Sequence, residues 1–186
     1  MYKRAIFGFF RHVKNYRPDV VTIILVGLLI FLWFRPPAFV TEQNTPAPMV
    51  TMQLADGHTL SLPELRGKVV LVNFWATWCP YCRHEMPAMQ SFYQAYKMQG
   101  FEILALSIDD SPAAIANYMR EKKYDFPAGR LTESAPAEFG PIRKIPVSFI
   151  VDKCGKIRKK VAGQLHYARL EELVLPLLTE PCRVNR

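Results

Sequence analysis

Cysteine is scarce in this chain, four in 186 residues, and only Cys79 and Cys82 are spaced as a C-x-x-C pair. A zinc site built from two such pairs is excluded, because Cys154 and Cys182 lie far apart with no matching spacing. No cysteine follows the N-terminal apolar run, so a lipoprotein anchor is excluded as well. Acidic residues are almost missing from the start of the chain. Residues 1–40 hold six Lys/Arg against one acid and supply +5 of the formal +8; the remainder holds 18 against 15, or +3. The positive excess is therefore local, and nucleic-acid binding has little support. A good small-x-small cleavage site is absent too, since Pro36-Pro37-Ala38 and Thr45-Pro46-Ala47 are poor candidates.

What the N-terminus does contain is Lys3, Arg4, Arg11, Lys14 and Arg17 ahead of an uncharged apolar run over residues 20–34, closed by Arg35-Pro36-Pro37. Positive charge before an apolar segment orients it with the N-terminus in the cytoplasm. The expected organisation is a basic cytoplasmic segment at 1–19, a single-pass transmembrane signal anchor at 20–35 and a linker at 36–48. A domain at 49–186 then lies in the periplasm or otherwise outside the inner membrane. The 15-residue run falls below the roughly 17–25 residues of a typical spanning helix. Tyr16, Arg17 and Arg35 can extend it by sitting at the interfaces. A cleaved signal peptide, whose apolar core is about 7–15 residues, remains the alternative. The compartment beyond the membrane is oxidising.

The domain is organised around Val69-Val70-Leu71-Val72-Asn73-Phe74-Trp75-Ala76-Thr77-Trp78-Cys79-Pro80-Tyr81-Cys82-Arg83. An apolar, β-branched run predicts a buried strand. Proline after the first cysteine suits the first position of a helix, where its missing N–H is no loss. Cys79 is thus expected at a helix N-terminus, where unpaired N–H groups and the helix dipole favour a thiolate. Such a pair exchanges disulfides with no cofactor other than its own sulfurs and no metal.

Around this core, Asp56-Gly57 predicts a hairpin turn, and a second strand is expected at 101–107. Asp109-Asp110-Ser111-Pro112 predicts a capped helix to about residue 123. A short strand at 126–131 and a brief helix from Ser134 to Phe139 follow. A hairpin turning at 152–156 and a last helix over 167–178 complete the domain. The helix after Cys79 is expected to run to about Met98, kinked by Pro87. The order predicts an α/β fold, a central mixed sheet with helices on both faces. Topology brings the end of the last helix back toward the final hairpin turn. A structural disulfide between Cys154 and Cys182 is therefore expected, with two free thiols or an intermolecular link as alternatives.

The run from Asn73 to Pro87, with its W-x-x-W-C-x-x-C core, resembles membrane-anchored thioredoxin-like thiol–disulfide oxidoreductases of the TlpA/ResA type, and the resemblance extends over residues 49–178. It implies a thioredoxin-like fold with an N-terminal hairpin and a middle insertion. It also implies a cis Pro146 facing the cysteines, with an ordinary trans proline as the alternative. A cis bond there turns the Ile145 backbone toward a substrate strand. Cys79 is the implied attacking thiol, expected to be exposed, and Cys82 the resolving one. Trp78, Pro80, Tyr81 and Ile145 would meet substrate, with Trp75 and Trp78 walling the site. Asn73 stands where thioredoxin has a buried Asp. Glu85 matches a family carboxylate that takes the proton of the second cysteine; a solvated helix Glu beside Arg83 is the other reading. Most relatives reduce disulfide-bearing extracytoplasmic proteins, such as apocytochrome c during cytochrome c maturation or copper-site proteins. A membrane electron-transfer partner recycles their cysteine pair. Pro80-Tyr81 departs from the usual dipeptides and matches glutaredoxins, which leaves a disulfide oxidase or isomerase open. A copper(I)-binding chaperone, drawing on His166, is the rival from outside enzymology. A peroxidase of the peroxiredoxin kind needs a proline where Val72 stands.

Overall fold

The computed structural model describes residues 19–34, 39–54, 56–109, 111–132 and 139–182, apart from the side chains of 32–34. The chain divides into two compact units, residues 1–37 and 38–186. In the first, Val20–Phe34 form helix α1. Asp19 caps its start by accepting from the Thr22 N–H at 2.8 Å and the Thr22 hydroxyl at 2.7 Å. Fifteen residues make roughly 22 Å of helix. Among the described residues, no helix is long and apolar enough to cross a membrane. The basic run before residue 19 and Arg35-Pro36-Pro37 lie outside the described residues.

In the second unit eight described strands form one sheet. They are β1 (Phe39–Pro46), β2 (Thr51–Leu54), β3 (Thr59–Ser61), β4 (Val69–Trp75), β5 (Phe101–Ser107), β6 (Ala128–Leu131), β7 (Val147–Val151) and β8 (Lys156–Ala162). Their spatial order is β1-β8-β7-β4-β5-β6-β2-β3. The β4–β5 and β5–β6 pairs are parallel and the other pairs antiparallel, so the sheet is mixed. β4 and β5 are buried at every position, which is why both read as mostly apolar runs, interrupted by Asn73, Glu102 and Ser107, instead of alternating ones.

Successive side chains of a strand point to opposite faces, and here they feed two separate cores. Val69, Leu71 and Trp75 join Phe101, Ile103 and Ala105 in one. Val70, Val72 and Phe74 join Leu104, Leu106 and Phe149 in the other. Helices α2 (Pro80–Tyr96), α3 (Pro112–Lys122) and α4 (Tyr167–Thr179) all contribute to the first core. The α4 stripe of Leu170, Leu173, Val174 and Leu177 is buried there, each side chain contributing about 1.5–3 kcal/mol. The second core is closed by Leu62 and Leu65 of a 3₁₀ turn and by Phe139, so the expectation of helices on both faces changes: among the described residues the helices of this unit pack on the first core alone. The brief helix expected from Ser134 to Phe139 falls on residues 133–138, outside the described residues.

A further expectation changes. Residues 39–46, expected within the 36–48 linker, form edge strand β1, antiparallel to β8. The compact unit accordingly begins before residue 49. β1 exposes most of its side chains and packs only Val40 against the core. Its hold on the sheet is the backbone ladder and a Glu42–Lys159 ion pair, so it has no apolar pattern to read. The capped helix expected from Asp109-Asp110-Ser111-Pro112 is present, with Ser111 as its N-cap accepting from the Ala114 N–H at 3.3 Å and Pro112 as its first residue.

Candidate active site

The site lies where β4 ends and α2 begins. Cys79 is the N-cap of α2 and Pro80 its first residue. The Cys82 N–H donates to Cys79 Sγ at 3.2 Å, which satisfies one of the orphan donors of the helix start. Cys79 and Cys82 are joined as a disulfide with 5.3 Å between their Cα atoms. On reduction, the same N–H and the helix dipole favour a thiolate at Cys79. The expectation of an exposed Cys79 meets a difference here, since in the disulfide only 4% of Cys79 and none of Cys82 is accessible.

The chain closes over these sulfurs from the opposite side. The Ile145–Pro146 peptide is cis, and the Ile145 carbonyl oxygen lies 3.9 Å from Cys79 Sγ. Trp78 and Tyr81 are 65% and 56% exposed. Trp75, expected to wall the site with Trp78, is instead buried in the core beside Tyr118 at 5.6 Å between ring centroids. The alternation of β4 explains this: Trp75 is on the face of Val69 and Leu71.

Glu85 sits one turn beyond Cys82 and is fully buried, which excludes a solvated role beside Arg83. Its Oε1 accepts from Asn73 Nδ2 at 2.8 Å and its Oε2 from the Leu165 N–H at 2.8 Å. Asn73 Nδ2 also donates to Ser148 Oγ at 2.9 Å, while Asn73 Oδ1 is buried with no hydrogen-bond partner among the described residues. Burial pushes the Glu85 carboxyl up to about 8, against the opposing pull of the hydrogen bonds from Leu165 and Asn73. Glu85 therefore titrates near the range of an ordinary thiol, about 8.5.

Three further residues shape the site and escaped the sequence reading. Asp109 accepts from the Thr77 N–H at 2.8 Å, the Thr77 hydroxyl at 3.0 Å and the Ser107 hydroxyl at 2.6 Å, pinning the loop that leads to Cys79. Gln164 is buried and donates from Nε2 to the Tyr81 carbonyl at 3.1 Å. Ser148 closes the Asn73 network from β7. The loop after β8 touches the site at several points: the Gly163 N–H donates to the Pro146 carbonyl, and the His166 ring lies edge-on to His84 at 6.5 Å. Only the position of Ser148, two residues past Pro146, offered a signal in the sequence.

Cys154 and Cys182 are also joined as a disulfide, 5.2 Å between Cα atoms, tying the end of the chain's last helical segment to the β7–β8 turn. Lys153 Nζ donates to the Leu178 carbonyl at 2.6 Å, and Arg158 bridges Asp152 and Glu180 at the same corner. Among the described residues no group of three or more His, Cys, Asp or Glu is placed to hold a metal ion.

Known proteins are similar to this chain. Residues 44–160 match the AhpC/TSA family. A thiol–disulfide oxidoreductase ResA of Bacillus cereus is 31% identical over 155 residues, covering 82% of this chain and 90% of that protein. ResA of Bacillus subtilis (strain 168) is 32% identical over 124 residues, covering 67% and 69%. Among solved structures, a thioredoxin-family thiol:disulfide interchange protein from Chlorobium tepidum TLS aligns with a TM-score of 0.67. It is 30% identical and covers 74% of this chain and 99% of that one. The chain thus belongs to the AhpC/TSA thioredoxin-like family, with ResA-type proteins among its relatives, and is a protein thiol–disulfide oxidoreductase.

Proposed function

We propose that this oxidoreductase is a membrane-tethered, extracytoplasmic reductase of protein disulfides. Reduced Cys79, as thiolate, attacks one sulfur of a partner disulfide. A Cys79–partner bond forms, the partner S–S bond breaks, and the released partner sulfur takes up a proton. Glu85 accepts the Cys82 proton, and the Cys82 thiolate attacks Cys79 Sγ. The second partner thiolate leaves and is protonated in turn, and the Cys79–Cys82 disulfide remains. Two electrons pass from the pair to the partner. The observation that supports this reading best is Glu85, buried one turn from Cys82 and raised to about 8. A base serves best when its pKa lies near the operating pH and near that of the acid it deprotonates.

Trp78, Pro80 and Tyr81 offer apolar contact around the sulfurs, and Ile145 offers its backbone to an extended partner strand. Cys154–Cys182 has a structural role at the far corner. An electron-transfer partner in the membrane recycles the disulfide, and α1 serves as anchor. The asymmetric charge before α1 supports an N-terminus in the cytoplasm.

The test is the reduction potential of Cys79–Cys82, equilibrated in dithiothreitol or glutathione buffers. A value near −270 mV, as in thioredoxin, is expected for a reductase. A value near −120 mV identifies a disulfide donor and overturns the proposed direction.

A further inference from the structure

We infer that the rim around Cys79 selects partner disulfides flanked by acidic residues; this rests on the reductase reading above. Among the described residues of the 38–186 unit, the exposed large apolar side chains are Phe39, Met49, Trp78, Tyr81, Met98 and Ile108. Trp78 and Tyr81 adjoin Cys79 in sequence, and Ile108 donates its N–H to the Trp75 carbonyl at 3.0 Å, at the same end of the sheet. Three of those six side chains are thus gathered at the redox-site end of the sheet. Apolar contact of this kind holds a partner in place without choosing among partners.

The charges provide the choice. Arg143 and Lys144 are exposed and immediately precede Ile145, whose carbonyl faces Cys79 Sγ. Neither side chain has a hydrogen bond or ion pair among the described residues. Arg83 follows Cys82 directly, exposed, with its guanidinium 5.8 Å from the centroid of the Tyr118 ring. The described carboxylates nearby are already committed. Glu85 is buried in its network, Asp109 is bonded to Thr77 and Ser107, and Glu121 pairs with Lys122. Elsewhere on the domain, Lys68, Lys97, Arg158, Lys159 and Arg169 have carboxylate partners. Arg83 lies within electrostatic reach of Glu121, so Arg143 and Lys144 are the cations left for an incoming chain.

The register sets where the acids belong. A strand paired with Ile145 advances about 3.3 Å per residue. Arg143 and Lys144 therefore meet side chains within about three positions of the partner cysteine. Glu or Asp there is attracted, and Lys or Arg repelled. Unpaired like charge at a docking rim acts chiefly on association rate and partner choice.

The experiment uses the full chain, reduced and freed of reductant, with three peptides that each contain one intramolecular disulfide. The cysteines are flanked by Glu, Gln or Lys in otherwise identical sequences. Oxidation of Cys79–Cys82 is followed by tryptophan fluorescence, with Cys79→Ser as the blank. At low salt the Glu peptide is expected to react roughly tenfold faster than the Lys peptide. That ratio falls toward one near 0.5 M salt, where the screening length is about 4 Å. In Arg143→Glu/Lys144→Glu, two exposed sites whose change disturbs no described side-chain contact, the order of the peptides inverts. Equal rates for all three peptides at low salt overturn the inference and leave the reductase reading standing. No Cys79-dependent reaction with any peptide overturns that reading itself.

Discussion

The Leu165 N–H donates to Glu85 Oε2 across 2.8 Å, although 80 residues separate the two in sequence. This bond ties the loop after β8 to the second turn of α2. It also defines the environment in which the carboxyl beneath Cys82 titrates. Burial dominates that environment and raises Glu85 to about 8 from an ordinary value of 4.5.

Glu85→Gln therefore has two expected outcomes with opposite pH dependence. Resolution of a Cys79 mixed disulfide in the parent speeds up as pH rises toward about 8, because more Glu85 is ionised and able to accept the Cys82 proton. The variant lacks this limb and is slower by about 100-fold or more near pH 8. Stability runs the other way. Between 4.5 and about 8 the folded chain holds a proton that the unfolded chain has released. The stabilisation is complete below 4.5 and is lost as pH rises through about 8, roughly a few kcal/mol in total. Urea unfolding at several pH values between 5 and 9 checks this. The parent should lose stability across the window relative to Glu85→Gln; parallel curves would remove Glu85 as the titrating group.

Gly129→Ala should destabilise the domain from a position far from the cysteines. Gly129 lies in β6 between β5 and β2, and a Cβ there would overlap the Gln53 carbonyl of the neighbouring strand. Backbone cannot give way as a flexible side chain does, so the expected cost is about 1–3 kcal/mol or more. It should appear as a lower urea midpoint with an unchanged slope.

How much of this was legible in the sequence depended on whether the cause was local. The strand–turn–helix around Cys79 was readable because its signals lie within one stretch: an apolar β-branched run, then Cys-Pro at a helix start. β1 was not, because apart from Phe39 and Val40 its residues are those of a tether, and what makes it a strand is the ladder offered by β8. Glu85 could be placed on α2 but not into the core, since the partners that make its burial tolerable come from Asn73 and Leu165. Asp109 carried no local signal of its role, because its carboxylate serves Thr77, 32 residues upstream.

The Cys154→Ser/Cys182→Ser pair of substitutions should lower stability by roughly 3–4 kcal/mol on the chain-entropy argument. The corner does not come apart entirely, because Lys153 still donates to the Leu178 carbonyl and Arg158 still pairs with Glu180. Exchange at Cys79 should stay within about twofold of the parent rate, since the change acts mainly on the unfolded chain. A stopped-flow rate beside a urea curve tests both statements. A large loss of rate in a folded variant would mean that this disulfide takes part in the chemistry.

Asp109 should link stability to the geometry of the reacting sulfur. Its carboxylate holds both the backbone N–H and the hydroxyl of Thr77, two residues before Cys79, and it is itself held by Ser107 at the end of β5. Asp109→Ala leaves the Thr77 N–H without its acceptor, at a cost of about 1.5–3 kcal/mol for hydrogen bonds to a charged group. Asp109→Asn retains one carbonyl oxygen and should recover about half of that loss. The functional effect should follow the same order, because Trp78 and Cys79 ride on the loop that Thr77 anchors. Amide hydrogen exchange at Thr77 should be fastest in Asp109→Ala, intermediate in Asp109→Asn and slowest in the parent. The rate of mixed-disulfide formation at a fixed thiolate fraction should fall in the same series. If exchange quickens while that rate holds steady, Asp109 stabilises the fold without positioning the sulfur.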